Sequence, residues 1–318
     1  MSSYVLYGVG AVGGVIGARL HLAGHDVTLV ARGEHLARIR ADGLLLDTAD
    51  GRHAVQAPAT DSAAGIDWHD DTVVVLAVKS HQTEGALDDL VRHAPTSVPV
   101  VCAQNGVANE PATLRRFART YGLTVMLPSQ HLEPGVVVQG CHPVPGILDV
   151  GRYPSGTDEL TERVAADLRS AGFESVPRPD IMAWKYRKLV TNAVGDVSAV
   201  LPDEADVLKP LVRAEAEAVL VAAGITAVSH EADLERRGDL LQNRPEVDGP
   251  NSLGQSIARG TFGTEVDFRA GEVVLLGRLH GVPTPVNARI QDEVHRQERR
   301  RLSRVGGPAN DTDPSESI

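Results

Sequence analysis

Two groups of residues in this chain have the types and the spacing to do chemistry. The first is Gly8-Val9-Gly10-Ala11-Val12-Gly13, which follows the apolar run Tyr4-Val5-Leu6-Tyr7 and opens a stretch of helical period. A strand, a G-x-G-x-x-G turn and a helix in that order make an anion cradle. Gly8 permits the tight turn, Gly10 lets the backbone approach a pyrophosphate, and Gly13 lets the helix pack close to the strand while its first amides face the charge. Gly8, Val9, Gly10, Ala11, Val12 and Gly13 are therefore candidate dinucleotide-binding residues. A site of this kind that takes NAD usually has a carboxylate at the end of the second strand, accepting from the ribose 2'-hydroxyl. Here Val27-Thr28-Leu29-Val30-Ala31 ends on Arg32. A guanidinium suits a 2'-phosphate, so the expected cofactor is NADP(H), with a solvated loop charge as the other reading of Arg32.

The second group is built on lysine, which is scarce: Lys79, Lys185, Lys188 and Lys209 stand among an otherwise arginine-rich set of cations. Arginine holds its proton, whereas a partly desolvated lysine can act as a general acid near neutral pH. In Trp184-Lys185-Tyr186-Arg187-Lys188-Leu189-Val190-Thr191-Asn192-Ala193-Val194-Gly195-Asp196, residues 188, 192 and 196 recur every fourth position. On a helix these form one slightly drifting polar stripe. From spacing alone the stripe fits a cleft wall or an ordinary solvated face. Further on, Thr264-Glu265-Val266-Asp267 reads as a helix start, with Thr264 as N-cap, Asp267 as its capping-box partner and Glu265 as a first-turn carboxylate favoured by the helix dipole.

The elements that must position these groups are legible as an α/β order. Strands are expected at 4–7, 26–31, 72–78 and 98–103, helices at 11–22 and 34–41, and a hairpin at 44–56 turning on Ala49-Asp50-Gly51. Residues 123–150 read as an antiparallel extension closing this part. From Asp180 onward nearly every segment has helical period. The expected architecture is a Rossmann-type dinucleotide-binding domain over 1–180, an all-α domain over 181–305, and a disordered polar tail over 306–318.

Composition narrows the partners. Phe, Trp and Tyr make up 3% of the 318 residues and the net charge is -11, which argues against a base-stacking platform or a basic groove for nucleic acid. Cys102 and Cys141 are too few for a disulfide framework and read as buried thiols. No apolar run approaches the roughly 20 residues of a membrane helix and no signal peptide is readable, so a soluble cytoplasmic protein without membrane partners is expected. His21 and His25 straddle a helix end without a carboxylate or thiol partner, so no metal is expected.

The glycine turn, Lys79 in Val78-Lys79-Ser80, Gln104-Asn105-Gly106, the Lys188-Leu189-Val190-Thr191-Asn192 helix, Thr264-Glu265-Val266-Asp267 and His280-Gly281-Val282-Pro283-Thr284-Pro285-Val286-Asn287, in this order, resemble the signature of ketopantoate reductases across nearly the whole chain. The resemblance implies that Lys188 is the catalytic lysine that gives a proton to the substrate carbonyl, and that Glu265 is its acidic partner. It implies that Asn105 contacts both nicotinamide and substrate, that Asn192 is a substrate-binding amide, and that Ser252 holds the substrate carboxylate. It assigns Arg32 and Lys79 to the NADP phosphate and suggests a homodimer.

Two departures bear on the substrate. Asp196, preceded by Gly195, stands where the family usually has asparagine, and the Ser252-Leu253-Gly254-Gln255-Ser256 segment lacks the family's aspartate. Asp196 is a substrate-facing position by the resemblance, and a carboxylate beside an anionic substrate is unfavourable unless paired or protonated. Reduction of 2-dehydropantoate to pantoate is the leading expectation. The alternatives are another 2-oxo acid, an imine- or amine-bearing substrate, or a non-catalytic NADP(H)-binding sensor. Replacing Arg32 by alanine is expected to raise the KM for NADPH with little change in kcat, because it removes binding common to ground and transition states. Equal KM values for NADH and NADPH in the unmodified protein would reject the preference.

Overall fold

The computed structural model describes residues 2–247, 253–254, 257 and 264–305, with side chains as far as 301. Ser252 and the 306–318 tail lie outside the described residues. The chain opens with β1 (Ser3–Tyr7), α1 (Ala11–Leu22), β2 (Asp26–Val30), α2 (Gly33–Asp42), the hairpin β3 (Leu44–Thr48) and β4 (Gly51–Val55), and β5 (Ala59–Thr60). It continues through β6 (Thr72–Leu76), α3 (Thr83–His93), β7 (Val100–Cys102), α4 (Asn109–Leu114) and β8 (Thr120–Leu123).

These strands form a seven-stranded sheet in the order β12-β8-β7-β6-β1-β2-β5, where β12 is Val150–Arg152. β1 pairs in parallel with both β2 and β6, Ser3 opposite Asp26 and Thr72. The chain therefore leaves β1 toward one edge and returns through β6 toward the other. That reversal opens a crevice at the carboxyl end of β1, where α/β sheets of this kind take ligands. Side chains alternate across the sheet. Tyr4 and Leu6 join Val15, Ile16 and Leu20 of α1 in one core. Val5 and Tyr7 join Leu87 and Leu90 of α3 and Phe117 in the other.

The 123–150 stretch is antiparallel only in part. β9 (Ser129–Gln130) and β10 (Val136–Gln139) pair antiparallel, but β10 runs parallel to β3, which welds the hairpin into a second sheet. β12 closes the main sheet antiparallel to β8.

After α5 (Glu159–Ser170) the helical half comprises α6 (Ile181–Val200), α7 (Ala205–Ala222), α8 (His230–Arg237), α9 (Ala270–His280) and α10 (Pro285–Val305). The purely helical expectation needs one correction. β13 (Leu241–Asn243) pairs antiparallel with β11 (Cys141–Pro143), stitching the second half onto the first. The helix expected to start at Thr264 also starts later. A 3-10 turn covers Val266–Phe268 and α9 begins at Ala270, so Thr264 is not its N-cap. Asp267 accepts from Gln291 and pairs with His295 on α10 instead of completing a capping box.

α6 is fastened to the sheet by a buried charge pair. Lys185, 3% exposed, donates to the Gln104 and Leu123 carbonyls at 2.9 and 3.2 Å and meets Glu110, 0% exposed, at 2.6 Å. Three acceptors match the three donors of an ammonium. Burial raises the Glu110 carboxyl above its ordinary range, although Lys185 pulls it back. Lys185→Met strands Glu110 and is expected to cost about 3–5 kcal/mol at neutral pH. A carboxyl whose folded pKa is raised contributes stability that is present at low pH and lost as pH rises through that pKa. The loss in this variant should therefore shrink at pH 5, as read by urea unfolding at pH 5 and 7.

Candidate functional site

At the glycine turn, Gly8 has φ of 105° and Val78 N would lie 2.7 Å from any Cβ there, so only glycine fits. A Cβ on Gly13 would run into the Gly8 carbonyl and come within 2.9 Å of Ala77 Cβ, so the approach of α1 to the sheet needs that glycine too. Gly10 differs. A Cβ there meets nothing within 4 Å, so protein packing does not require it, and the space it leaves suits a group brought in from outside. No side chain caps α1, whose N-cap is Gly10. First-turn amides of an uncapped helix are ready donors for a phosphate, and the residues present fit a dinucleotide.

Sequence reasoning missed the group that holds this turn. Gly135 N donates to His35 Nδ1 at 2.8 Å, which leaves the ring proton on Nε2, 2.6 Å from the Val9 carbonyl. Burial first, and the neighbouring His131 second, push the His35 pKa down to about 4. The ring is neutral at ordinary pH. Arg32 lies exposed at the end of β2, three residues before His35 and within reach of the Tyr7 hydroxyl.

Lys79 and Glu265 meet each other. Glu265 Oε2 is 2.8 Å from Lys79 Nζ, and Oε1 accepts from the Ser80 amide and hydroxyl, each at 3.1 Å. Burial raises the Glu265 carboxyl, but Lys79, Arg269 and the Ser80 amide outweigh it and the net shift is downward. Glu265 thus ties the turn before α9 to the loop after β6, and it is absent from the lining of the cleft between the halves. The resemblance to ketopantoate reductases pairs it with Lys188.

Between the halves lies a cleft of about 390 Å³. The sheet side contributes Val12, Asn105, residues 125–130 and Gly140; the helical side contributes Lys188, Thr191, Asn192 and Gly195 of α6, with Arg237, Leu241, Asn243, Arg244, Val247 and Arg269. Asn192 Nδ2 donates to Asn105 Oδ1 at 3.2 Å, so two of the expected substrate residues touch across the cleft. Lys188 is part-buried on its wall. Burial, then the charges of Arg237 and Arg269, lower its pKa to about 8 against the opposing pull of Asp233 and Asp196.

Asp196 does not reach the lining. It is wholly buried, its Oδ1 2.6 Å from Arg269 Nη2, which also donates to the Asn192 carbonyl at 3.2 Å. The carboxylate that looked awkward beside an anionic substrate is therefore paired. Among the described residues the charged groups of the lining are all cations, Lys188, Arg237, Arg244 and Arg269. The carboxylates that pair with the arginines, Asp233, Asp47, Glu246 and Asp196, are not in the lining. Such a cleft favours an anion. Among the described residues no group of three His, Cys, Asp or Glu could hold a metal, and Cys102 and Cys141 are buried free thiols.

The family model described as ketopantoate reductase PanE/ApbA matches residues 4–155, and that for the family's C-terminal part matches 180–298. The chain is 30% identical over 296 residues to the 2-dehydropantoate 2-reductase of Pyrococcus horikoshii, covering 90% of this chain and 94% of that one. It is 29% identical over 308 residues to the enzyme of the same name from Halobacterium salinarum, covering 93% and 98%. Among solved structures, a PanE/ApbA family ketopantoate reductase from Ralstonia eutropha superposes with a TM-score of 0.80 at 24% identity, over 95% of this chain and all of that one. A D-mandelate dehydrogenase bound to NADH and anilino(oxo)acetate gives 0.82 at 21% identity over the same shares, a likeness of fold. With both halves matched, and a relative 30% identical over most of its length, the chain belongs to the ketopantoate reductase PanE/ApbA family and is an oxidoreductase.

Proposed function

We propose that this protein reduces 2-dehydropantoate to pantoate with NADPH in the cytoplasm, residues 1–180 holding the dinucleotide and 181–305 carrying the substrate-reading and proton-donating groups. The observation that carries the reading is the part-buried Lys188 on the wall of a cleft whose charged lining is cationic. The amides of the turn at residues 8–13 would hold the pyrophosphate and Arg32 would hold the 2'-phosphate. The ion pair with Glu265 uses the charge of Lys79, so any hold of Lys79 on the phosphate shares its ammonium with that carboxylate.

The nicotinamide, when bound, supplies hydride to the carbonyl carbon. Lys188 gives its proton to the carbonyl oxygen, on which negative charge grows as the hydride arrives. A pKa of about 8 suits the task, leaving the amine charged at neutral pH yet ready to release its proton. Asn192 and Asn105, already in contact, orient the carbonyl and hydroxyl groups. Glu265, clamped on Ser80 and Lys79, positions the turn that carries Arg269. The ion pair with Arg269 occupies Asp196 and the lining holds no carboxylate among the described residues. That favours an acid over the amine-bearing alternative. Another 2-oxo acid remains the second reading, favoured by the Asp196–Arg269 pair beside Asn192.

The association we propose is a homodimer through α7. Val207, Leu211, Ala214, Ala218 and Val221 lie exposed on that helix at alternating spacings of four and three residues, the repeat of a helix-pairing seam. An antiparallel second copy pairs Val207 with Val221, Leu211 with Ala218 and Ala214 with its own counterpart about a two-fold axis.

NADPH consumption with 2-dehydropantoate and a panel of 2-oxo acids tests the reading, and turnover of none of them would overturn it. Lys188→Ala is expected to lose at least about a hundredfold in kcat while still binding NADPH. Since the acid must be protonated, reduction should hold below pH 8 and decline as pH rises through the Lys188 value of about 8. A rate independent of pH from 6 to 10 would remove Lys188 from that role. For the dimer, light scattering should show twice the 33.8 kDa chain mass, falling to one chain in Leu211→Asp. A single-chain mass for the unmodified protein would refute it.

A further inference from the structure

We propose that Arg237 receives the carboxylate of the 2-oxo acid, the group that the resemblance gives to Ser252, an assignment that rests on the reductase reading above. Among the described residues the cleft offers four cations, and three are already committed. Arg244, 7% exposed, donates Nε to Glu246, Nη1 to the Gln139 and Asp47 carbonyls and Nη2 to Asp47 Oδ1. Arg269, 3% exposed, is bound to Asp196 and the Asn192 carbonyl. Lys188 is kept for the carbonyl oxygen.

Arg237 is different. It ends α8, its side chain is 26% exposed on the cleft wall, and it pairs with Asp233 one turn earlier on its own helix, Nη2 to Oδ2 at 2.8 Å. Its Nε is sealed from solvent and has no hydrogen-bond acceptor among the described residues. That atom is closed to a ligand as well as to water, so an incoming carboxylate meets the part of the guanidinium that is open to the cleft, in a charge-assisted hydrogen bond. Asp233, 2% exposed, backs the guanidinium from the protein side and limits its freedom to turn away.

The chemistry of a 2-oxo acid adds a distance requirement, since its carboxylate is bonded directly to the reacting carbonyl carbon. The group that reads the acid must therefore neighbour the group that protonates the carbonyl oxygen. It does: of the charges that face Lys188, namely Arg237 and Asp233 from α8, Arg269 from the turn before α9 and Asp196 from α6 itself, Arg237 acts most strongly. A carboxylate on Arg237 would offset that repulsion and strengthen the hold of Lys188 on its proton until the hydride arrives.

Steady-state kinetics with a 2-oxo acid and with its neutral amide, each with NADPH, test the assignment in the full chain. Arg237→Gln is expected to raise the KM for the acid about 10- to 100-fold while the KM values for the amide and for NADPH stay within about twofold. Arg237→Lys should recover part of the loss for the acid. Removing the cation should also move the alkaline limb of kcat/KM to higher pH, a change that mere loosening of α8 would not produce. Equal losses for acid and amide, or an unchanged KM for the acid, would overturn it. If the unmodified protein reduces no 2-oxo acid, the reductase reading fails by itself, and calorimetric titration of the NADPH-loaded protein with oxamate then decides the binding role. Binding abolished by Arg237→Gln supports it, and equal binding, or none to the unmodified protein, overturns it.

Discussion

The working parts of this protein come together because Lys185 is buried against the sheet. Its ammonium takes Glu110 and the carbonyls of Gln104 and Leu123 at once. Those carbonyls sit at the carboxyl ends of β7 and β8, where the crevice of the sheet opens. Lys188 follows three residues later, about 300 degrees further around the helix, so pinning Lys185 to the sheet turns Lys188 to an adjacent face. The same bond fixes the residue before Asn105, whose side chain meets Asn192 one turn beyond Lys188. A charged pair in so apolar a setting contributes little net stability compared with a hydrophobic replacement. What it supplies is a unique seat for α6.

The electrostatics of the cleft follow from a second layer of pairing. Asp233, Asp47 and Asp196, at 2%, 18% and 0% exposure, each hold an arginine whose own side chain borders the cavity. Cations in front and carboxylates behind give a surface that attracts anions without accumulating a large buried net charge. The chain as a whole carries -11, so the attraction is local to the cleft.

The sequence made legible what depends on neighbours in the chain. The glycine turn, the strand before it and the helix after it are consecutive, and their backbone demands show in residue type. The stripe of 188, 192 and 196 was visible as a spacing, but only tertiary contacts separate its members. Lys188 and Asn192 face the cleft, while Asp196 drifts far enough around the helix to meet Arg269, 73 residues away. The partner of Glu265 was equally hidden, since Ser80 is 185 residues distant. Thr264 and Asp267 matched a helix-start pattern, yet packing of the following 3-10 turn on α10 overrode it. β13 is three residues long and becomes a strand only because Cys141–Pro143 lies beside it. Arg237 had no signal of its own within a helix rich in charged residues.

The neutral imidazole of His35 has a consequence for how the protein would hold a nucleotide as acidity varies. It props the Val9 carbonyl through an uncharged ring that gains a proton only near pH 4. A lysine in that place would have put a fixed positive charge beside the phosphate cradle, and an exposed histidine would have switched one on in mildly acidic surroundings. A buried, doubly bonded ring does neither. Over the ordinary range of acidity this ring therefore adds no charge of its own to the glycine turn.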